Sequence, residues 1–390
     1  MAEAYAEAYI VASARTAGGK RKGALSGVHP ADLGAVVLNA LIERSGVDPV
    51  AIEDVIVGCV TQAGEQAFAF GRNLVLASKL PDSVPAVTID RQCGSSQQAL
   101  HFAAQAVMSG TQDLVIAAGA ESMTRVPMGS NFTLHAQAGV GEGPWPESIR
   151  SRYGVIEFSQ FHGAQAIAHK YGISREDMDA FALASHAKAG AASRSGAFRD
   201  EIVAVATATG LFSQDEGIRS GGTRDSMAAV KPIVEGGTIT AANASQMTDG
   251  ASGLLVASEA AIKRFGLTPM ARIVNLTVTA GDPVIMLEEP MPATTRALER
   301  AGISLDDIDL FEVNEAFASV PMAWLKALDV DPAKLNVNGG AIALGHPLGA
   351  SGTRLMSTLL HALKARGGRY GLQAMCEGGG VANVTIVERL

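Results

Sequence analysis

Strand-length apolar runs alternate with longer stretches of helical period along most of this chain, and the alternation occurs twice. The first series has apolar runs near residues 9–12, 55–60, 86–89 and 114–118, with helical stretches near 31–43 and 97–108. The second has apolar runs near 271–276, 309–313, 371–375 and 384–387, with helical stretches near 292–300 and 349–364. Alternation of this kind predicts a mostly parallel sheet covered by helices on both faces.

The two series also share a local pattern. Residues 45–57 and 301–311 each contain a turn, an acidic pair and a buried strand in the same order. One such match can arise by chance, but together with the repeated alternation it predicts a duplicated α/β domain. Residues 121–250 show a different sequence pattern, with turn-rich stretches and one long polar helix. They are expected to form an insertion that carries ligand contacts.

Charge and cysteine content exclude several classes of protein. The formal net charge is -8, and the cluster of basic residues at 20–22 is too short to follow a nucleic-acid backbone. No apolar segment approaches the roughly 20 residues that span a bilayer, and no secretory signal is apparent, so we expect a cytoplasmic protein. Cys59, Cys93 and Cys376 form no CxxC pair, which argues against a metal site or a disulfide framework.

Cys93 lies where a buried strand is expected to meet a helix. The strand ends near residue 89 and the helix begins near residue 95. Backbone N–H groups and the positive end of a helix favour a thiolate, which is the nucleophilic form of cysteine. A buried structural cysteine is the competing interpretation, and the position alone leaves the two about equal.

Three further residues follow strands or precede helices in the second series. His346 stands within the glycine-rich stretch 338–352, and histidine is suited to accept a thiol proton near neutral pH. Cys376 precedes three glycines whose N–H groups are candidates for an oxyanion site, and Asn314 follows an apolar run, where a helix cap is the ordinary interpretation. Because sites form at the carboxyl ends of strands in open α/β sheets, all four residues can converge if the halves pack together.

Four stretches of the chain, in this order, resemble the thiolase family. They are residues 92–95 (Gln-Cys-Gly-Ser), 314–318 (Asn-Glu-Ala-Phe-Ala), 339–347 (Gly-Gly-Ala-Ile-Ala-Leu-Gly-His-Pro) and 376–380 (Cys-Glu-Gly-Gly-Gly). The resemblance implies two duplicated βαβαβ-type halves that form a five-layered α-β-α-β-α core. The halves would be residues 1–120 with 251–270, and residues 271–390, and the loop domain 121–250 would cover the coenzyme A site.

The resemblance also implies a role for each matching residue. Cys93 would be acylated by the substrate, His346 would activate it, and Cys376 would exchange the proton at the acyl α-carbon. Asn314, through a bound water, and His346 would stabilise the enolate-like thioester oxygen, and the N–H groups of Cys93 and Gly378 would form a second oxyanion hole. Ser245 would contact pantetheine, and Arg219 would lie near the nucleotide end of coenzyme A.

The implied activity is coenzyme-A-dependent thiolysis of 3-ketoacyl-CoA in fatty acid or steroid degradation. Coenzyme A would be a substrate, no cofactor would be permanently bound, and the assembly would be a homodimer or homotetramer. The chain departs from many short-chain thiolases at residues 161–166 and 245–249, and residues 91–99 look like steroid-degrading actinobacterial members. The alternatives are a biosynthetic acetoacetyl-CoA thiolase, a decarboxylating condensing enzyme of the same fold, and a catalytically silent acyl-CoA carrier.

Overall fold

The computed structural model describes residues 6–390, so the first residues, in which no secretory signal is expected, lie outside the described part. The strands in the described part are β1 Ala8–Thr16, β2 Gly19–Lys20, β3 Asp54–Gly58, β4 Ala86–Ile89, β5 Leu114–Ser122, β6 Ile202–Val203, β7 Val205–Thr207, β8 Gly210–Phe212, β9 Thr248–Ser258, β10 Ala271–Ala280, β11 Leu310–Val313, β12 Tyr370–Glu377 and β13 Val381–Arg389.

The helices are joined to these strands by loops and short 3-10 turns. They are α1 Pro30–Ser45, α2 Phe70–Ala77, α3 Ser95–Met108, α4 Leu134–Ala138, α5 Glu147–Tyr153, α6 Gln160–Lys170, α7 Arg175–Ser195, α8 Arg224–Ala228, α9 Glu259–Phe265, α10 Pro290–Ala301, α11 Ser319–Leu328, α12 Ala341–Leu344 and α13 Ser351–Arg366.

The main sheet contains the same arrangement of strands twice. Its order is β11-β12-β13-β10-β1-β9-β5-β3-β4. In the first half β9 pairs antiparallel with both β1 and β5, and β5 pairs parallel with β3. In the second half β13 pairs antiparallel with both β10 and β12, and β12 pairs parallel with β11. The duplicated α/β fold is therefore confirmed.

The expectation of a mostly parallel sheet is wrong. Two strands that follow one another in the chain run parallel only when a long crossover connection, usually a helix, joins them. The strands β12 and β13 are joined instead by the turn at 378–380, so they must run antiparallel, and β9 runs antiparallel to both of its neighbours. The alternation pattern did not identify β9, whose first half is polar and glycine-containing despite complete burial.

Helices α3 and α13 lie between the two halves of the sheet. Apolar residues of α3, such as Leu100, and of α13, such as Leu359, belong to one buried cluster with residues from both halves, including Val115 and Val387. Helix α1 packs on the outer face of the first half, and α10 and α11 pack on the outer face of the second. The order of layers is thus α-β-α-β-α, and the amino-terminal ends of the two central helices lie inside the molecule.

A buried ion cluster joins the segment between β5 and β9 to strand β1. The Arg15 guanidinium lies 2.6 Å from a Glu201 oxygen and 2.8 Å from an Asp215 oxygen, and all three side chains are almost fully buried. Removing one partner from such a cluster leaves an uncompensated buried charge, which is strongly destabilising. The cluster therefore holds the 200–216 part of this segment in a fixed position on the sheet.

Candidate active site

Cys93 occupies the tight connection between β4 and α3. The preceding residue, Gln92, has a φ of 47°, a left-handed conformation that non-glycine residues rarely adopt and that is often found at functional sites. The following residue is Gly94, and a Cβ there would lie 1.7 Å from a Glu377 oxygen, so any larger residue would have to displace the Glu377 side chain. The connection thus brings the half-buried Cys93 thiol against the end of strand β12.

The surroundings of the Cys93 thiol favour its protonated form. Burial raises its pKa to about 12, and the neighbouring Glu377 carboxyl adds to the rise. Desolvation therefore opposes the charged form that the start of α3 is expected to favour. A base must therefore remove the proton during any reaction at this sulfur.

His346 is held in one orientation by the start of α13. Its Nδ1 lies 2.6 Å from Ser351 Oγ, and the same hydroxyl donates to the Pro347 carbonyl at 2.9 Å. Since the hydroxyl proton is used in the second bond, Nδ1–H donates to Oγ and the lone pair remains on Nε2. Burial lowers the pKa of His346 to about 3, so the ring is neutral near pH 7 and Nε2 carries a lone pair.

The loop that carries His346 depends on Gly345. This residue has a φ of 86°, and a Cβ there would lie 2.0 Å from Oγ1 of Thr248. The His346 N–H donates to the Gln246 carbonyl at 2.9 Å, so the loop lies directly on the segment that precedes β9. Cys93 packs against a small buried cluster that includes Leu348 from the same loop, so the histidine loop and the candidate nucleophile share this cluster.

Asn314 and Cys376 complete the group. Asn314 follows β11, and its Nδ2 lies 3.4 Å from His346 Nε2, while its buried Oδ1 has no hydrogen-bond partner in the described part of the chain. Cys376 is fully buried near the end of β12, and burial raises its pKa well above the ordinary value, with the nearby Cys93 contributing. The structure thus brings Cys93, His346, Asn314 and Cys376 together at adjacent strand and helix ends.

Gly378 is in the β12–β13 turn, against the cysteine loop. A Cβ on Gly378 would lie 2.9 Å from Oε1 of Gln92, so this turn and the Cys93 connection are in contact. The adjacent Glu377 is buried, neither of its oxygens has a close hydrogen-bond partner among residues 6–390, and burial raises its pKa well above the ordinary value. Glu377 was not singled out from the sequence, although it lies directly between two predicted site residues.

Ser245 and Arg219 lie on one side of the histidine loop. The Ser245 N–H donates to the Ala316 carbonyl at 2.9 Å, close to Asn314 in the chain. The exposed Arg219 guanidinium lies 3.4 Å from the Gln246 side-chain oxygen, and Gln246 also donates to the Ile342 carbonyl at 2.8 Å. Both residues therefore adjoin the group that contains His346 and Asn314, with Arg219 on its solvent side.

Two buried carboxyl groups anchor the histidine loop, and sequence reasoning missed both. Glu121 accepts from the N–H groups of Val60 at 2.8 Å and Gly349 at 3.0 Å. Glu315 accepts from the Ser185 hydroxyl at 2.7 Å and from the Ile342 N–H at 3.1 Å. The two anchor points lie on either side of His346, so the loop is fixed before and after the histidine.

Neither a metal site nor a membrane span is found in the part of the chain that the structure describes. Among residues 6–390, no three His, Cys, Asp or Glu side chains are grouped to hold an ion. No helix in the same residues combines the length and apolar character needed to cross a bilayer.

Comparison with known proteins is consistent with this geometry. A family model described as the thiolase N-terminal domain matches residues 8–260, and one described as the thiolase C-terminal domain matches residues 267–389. A steroid 3-ketoacyl-CoA thiolase (FadA6) of Mycobacterium tuberculosis is 54% identical, covering 98% of this chain and 94% of that protein. A 3-ketoacyl-CoA thiolase of Bacillus subtilis is 41% identical (98% and 99%), as is an acetyl-CoA acetyltransferase of Cupriavidus necator (97% and 98%). The two family models together cover nearly the whole chain, and so do the matches to these relatives. This chain therefore belongs to the thiolase family.

Proposed function

We propose that this enzyme cleaves 3-ketoacyl-CoA with coenzyme A, releasing acetyl-CoA or another short acyl-CoA and a shortened acyl-CoA. The observation that carries the proposal is the grouping of two cysteines with a neutral, oriented histidine. Cys93 supplies the nucleophile, and Cys376 supplies a second proton-transfer group that a decarboxylating condensing enzyme does not need. A silent carrier would have no use for this set of groups.

In the first half-reaction His346 Nε2 takes the proton of the Cys93 thiol, and the sulfur attacks the 3-keto carbon. The bond between the α-carbon and that carbon breaks, and its electron pair forms the enolate of the departing thioester. Cys376 gives its proton to the α-carbon, which leaves an acyl group on Cys93. Asn314, through a bound water, and His346 are proposed to stabilise the enolate oxygen, and the N–H groups of Cys93 and Gly378 the oxyanion at the acyl carbon.

In the second half-reaction the Cys376 thiolate takes the proton of the incoming coenzyme A thiol. The new thiolate attacks the acyl carbon, and the Cys93 sulfur leaves and recovers its proton from His346. Ser245 and Arg219 are proposed to hold the pantetheine and nucleotide parts of coenzyme A. Four further points stay predictions from the sequence. They are the loop domain 121–250, the halves 1–120 with 251–270 and 271–390, the assembly as a homodimer or homotetramer, and the cytoplasmic location.

We propose degradation of bulky or steroid-derived acyl chains as the physiological role. The 54% identical relative is named a steroid 3-ketoacyl-CoA thiolase, and this chain departs from the short-chain pattern at residues 161–166. The acetyl-CoA acetyltransferase at 41% identity favours the alternative of acetoacetyl-CoA synthesis. A series of 3-ketoacyl-CoA substrates from short chains to steroid rings separates the two roles, since the synthetic role requires acetoacetyl-CoA to give the highest kcat/KM.

The test of the mechanism compares Cys93→Ala with Cys376→Ala. Cys93→Ala is expected to abolish both acyl-enzyme formation and turnover. Cys376→Ala is expected to accept an acyl group from a simple acyl-CoA, because that exchange involves no α-proton. The same variant is expected to lose at least ~10²-fold in cleavage of 3-ketoacyl-CoA and in exchange of acetyl α-hydrogens with deuterium. Normal deuterium exchange by Cys376→Ala would contradict the assignment.

A further inference from the structure

Glu377 places a buried carboxyl group directly against the cysteine connection. Side chains of successive strand residues point to opposite faces, so Cys376 faces the outer cluster that includes Phe317, and Glu377 faces the central helical layer. There one of its oxygens would lie 1.7 Å from a Cβ on Gly94, the residue that follows Cys93. The carboxyl is therefore in contact with the backbone that carries the proposed nucleophile.

The surroundings of this carboxyl favour its neutral form. Glu377 is fully buried, and neither oxygen has a close hydrogen-bond partner among residues 6–390. Burial raises its pKa well above the ordinary value, Arg91 and the Asn383 N–H on β13 oppose the rise, and Asp90 adds to it. A buried carboxylate without close partners is costly, and such a group ordinarily takes up a proton instead.

The neutral form is also the one that the chemistry needs. Burial raises the pKa of Cys93 and of Cys376, and a negative charge on Glu377 would raise both further, against the thiolate of each. A neutral carboxylic acid carries one O–H donor instead. This donor has no close acceptor in the described part of the chain, so it is available to a negative charge that forms beside Gly94. Burial can keep a carboxylic acid neutral at pH 7 so that it donates a hydrogen bond to an anion.

We propose that Glu377 is a further functional residue of the thiolase reaction, a neutral acid whose O–H stabilises the negative charge on the Cys93 sulfur. The inference rests on the proposed role of Cys93 as the nucleophile and adds a second group to its activation. The Cys93 S–H bond breaks, the proton passes to His346 Nε2, and the electron pair stays on sulfur. Glu377 keeps its own proton throughout and acts only through its dipole and its hydrogen bond.

The experiment measures alkylation of Cys93 by iodoacetamide without substrate, with the modification of each cysteine followed by mass spectrometry. Glu377→Gln keeps a neutral donor of nearly the same shape and is expected to label close to the wild-type rate near pH 7. Glu377→Leu has no donor and is expected to label about tenfold more slowly, as expected for the loss of a hydrogen bond to a charged group. Glu312→Gln is the matched control, because it makes the same substitution in a buried glutamate on the neighbouring strand β11.

The pH dependence of labelling gives a second readout. As the pH rises through the raised pKa of Glu377, the wild type loses the O–H and gains a negative charge beside the cysteine connection. Its labelling rate is therefore expected to fall below that of Glu377→Gln at alkaline pH. If Glu377→Leu does not fold, this comparison between the wild type and Glu377→Gln decides the question.

Two results would overturn the inference while leaving the thiolase activity intact. Faster labelling in both Glu377 variants near pH 7 would mean that the wild-type carboxyl is ionised. Equal labelling in the wild type and both variants at every pH would mean that the carboxyl does not act on Cys93. A wild-type Cys93 that labels no faster than the buried Cys59, without protection by a 3-ketoacyl-CoA, would remove the proposed nucleophile together with this inference.

Discussion

At the scale of single residues, the tautomer of the neutral His346 ring depends on Ser351, five positions further along the chain. Ser351 passes its own proton to the Pro347 carbonyl, so its oxygen can accept from Nδ1–H. Without this acceptor Nδ1–H loses its hydrogen bond, and only the Asn314 amide, 3.4 Å from Nε2, still favours the tautomer with the lone pair on Nε2. Ser351 is therefore a positioning residue rather than a catalytic one.

Replacement of Ser351 tests this arrangement. Ser351→Ala is expected to lower kcat about tenfold with little change in KM, because binding groups remain and only the base is misdirected. Ser351→Thr retains the hydroxyl and is expected to recover most of kcat. Ser357→Ala removes another buried hydroxyl from α13, bonded to Ser13, and is the control. Equal kcat losses in the alanine variants at 351 and 357 would indicate a structural effect alone.

At the scale of elements, the site is formed by the ends of strands and the starts of helices. Carboxyl groups that are distant in the sequence hold these ends in position. Glu121, at the end of β5, joins the loop after β3 to Gly349 at the start of α13. Burial raises its pKa, while the N–H groups that it accepts from oppose the rise. This single side chain thus couples three elements that carry or adjoin Cys93 and His346.

Glu121→Gln is expected to weaken this coupling. The amide nitrogen cannot accept a hydrogen bond, so at least one buried N–H loses its partner, at a cost of about 1–3 kcal/mol in the free energy of unfolding. A parallel loss in kcat is expected because the Gly349 anchor loosens. Denaturant unfolding and steady-state kinetics measure the two effects, with the exposed Glu142→Gln as the control. Unchanged stability in Glu121→Gln would show that the loop needs no such anchor.

The sequence predicted some of these elements well and others poorly, for physical reasons. Cys93, Asn314, His346 and Cys376 were predictable because each stands at a local change from strand to turn or helix. The anchors were not, because Glu121 and Gly349 are adjacent only after the two halves have packed. Strand β9 was missed because period and apolar content are local signals, and its burial comes from neighbours on both sides.

At the scale of the whole molecule, the central helical layer contains polar groups without charge. His101 on α3 is fully buried, and its Nε2 lies 2.8 Å from Oγ1 of Thr385 on β13. Burial lowers the pKa of His101 to about 3. The unfolded chain therefore binds a proton at pH values between the ordinary histidine pKa and this value, while the folded protein does not. Stability contributed by His101 is present at neutral pH and is lost as the pH falls through that window.

His101→Gln isolates this contribution. At pH 5, the wild-type histidine is expected to have lost about 2 kcal/mol of unfolding free energy relative to pH 7, and the variant lacks this loss. Buried carboxyl groups with raised pKa values act in the opposite direction, but they are common to both proteins and cancel in the comparison. Chemical denaturation at the two pH values gives the difference. An identical pH dependence in both proteins would mean that His101 is protonated in the folded state.

The position of α3 and α13 between the two sheets also bears on the order in which the protein is made. During synthesis the first half emerges with α3 complete, but the surface that α13 covers stays open to water until the end of the chain appears. Cys93 is likewise made long before Asn314, His346 and Cys376. A chain interrupted before residue 346 would carry Cys93, the proposed nucleophile, beside an apolar layer that α13 does not yet cover, and without the proposed base His346 and the proposed proton donor Cys376. Truncated products are thus expected to be both inactive and prone to aggregation, which makes them substrates for chaperones and proteases rather than slow enzymes.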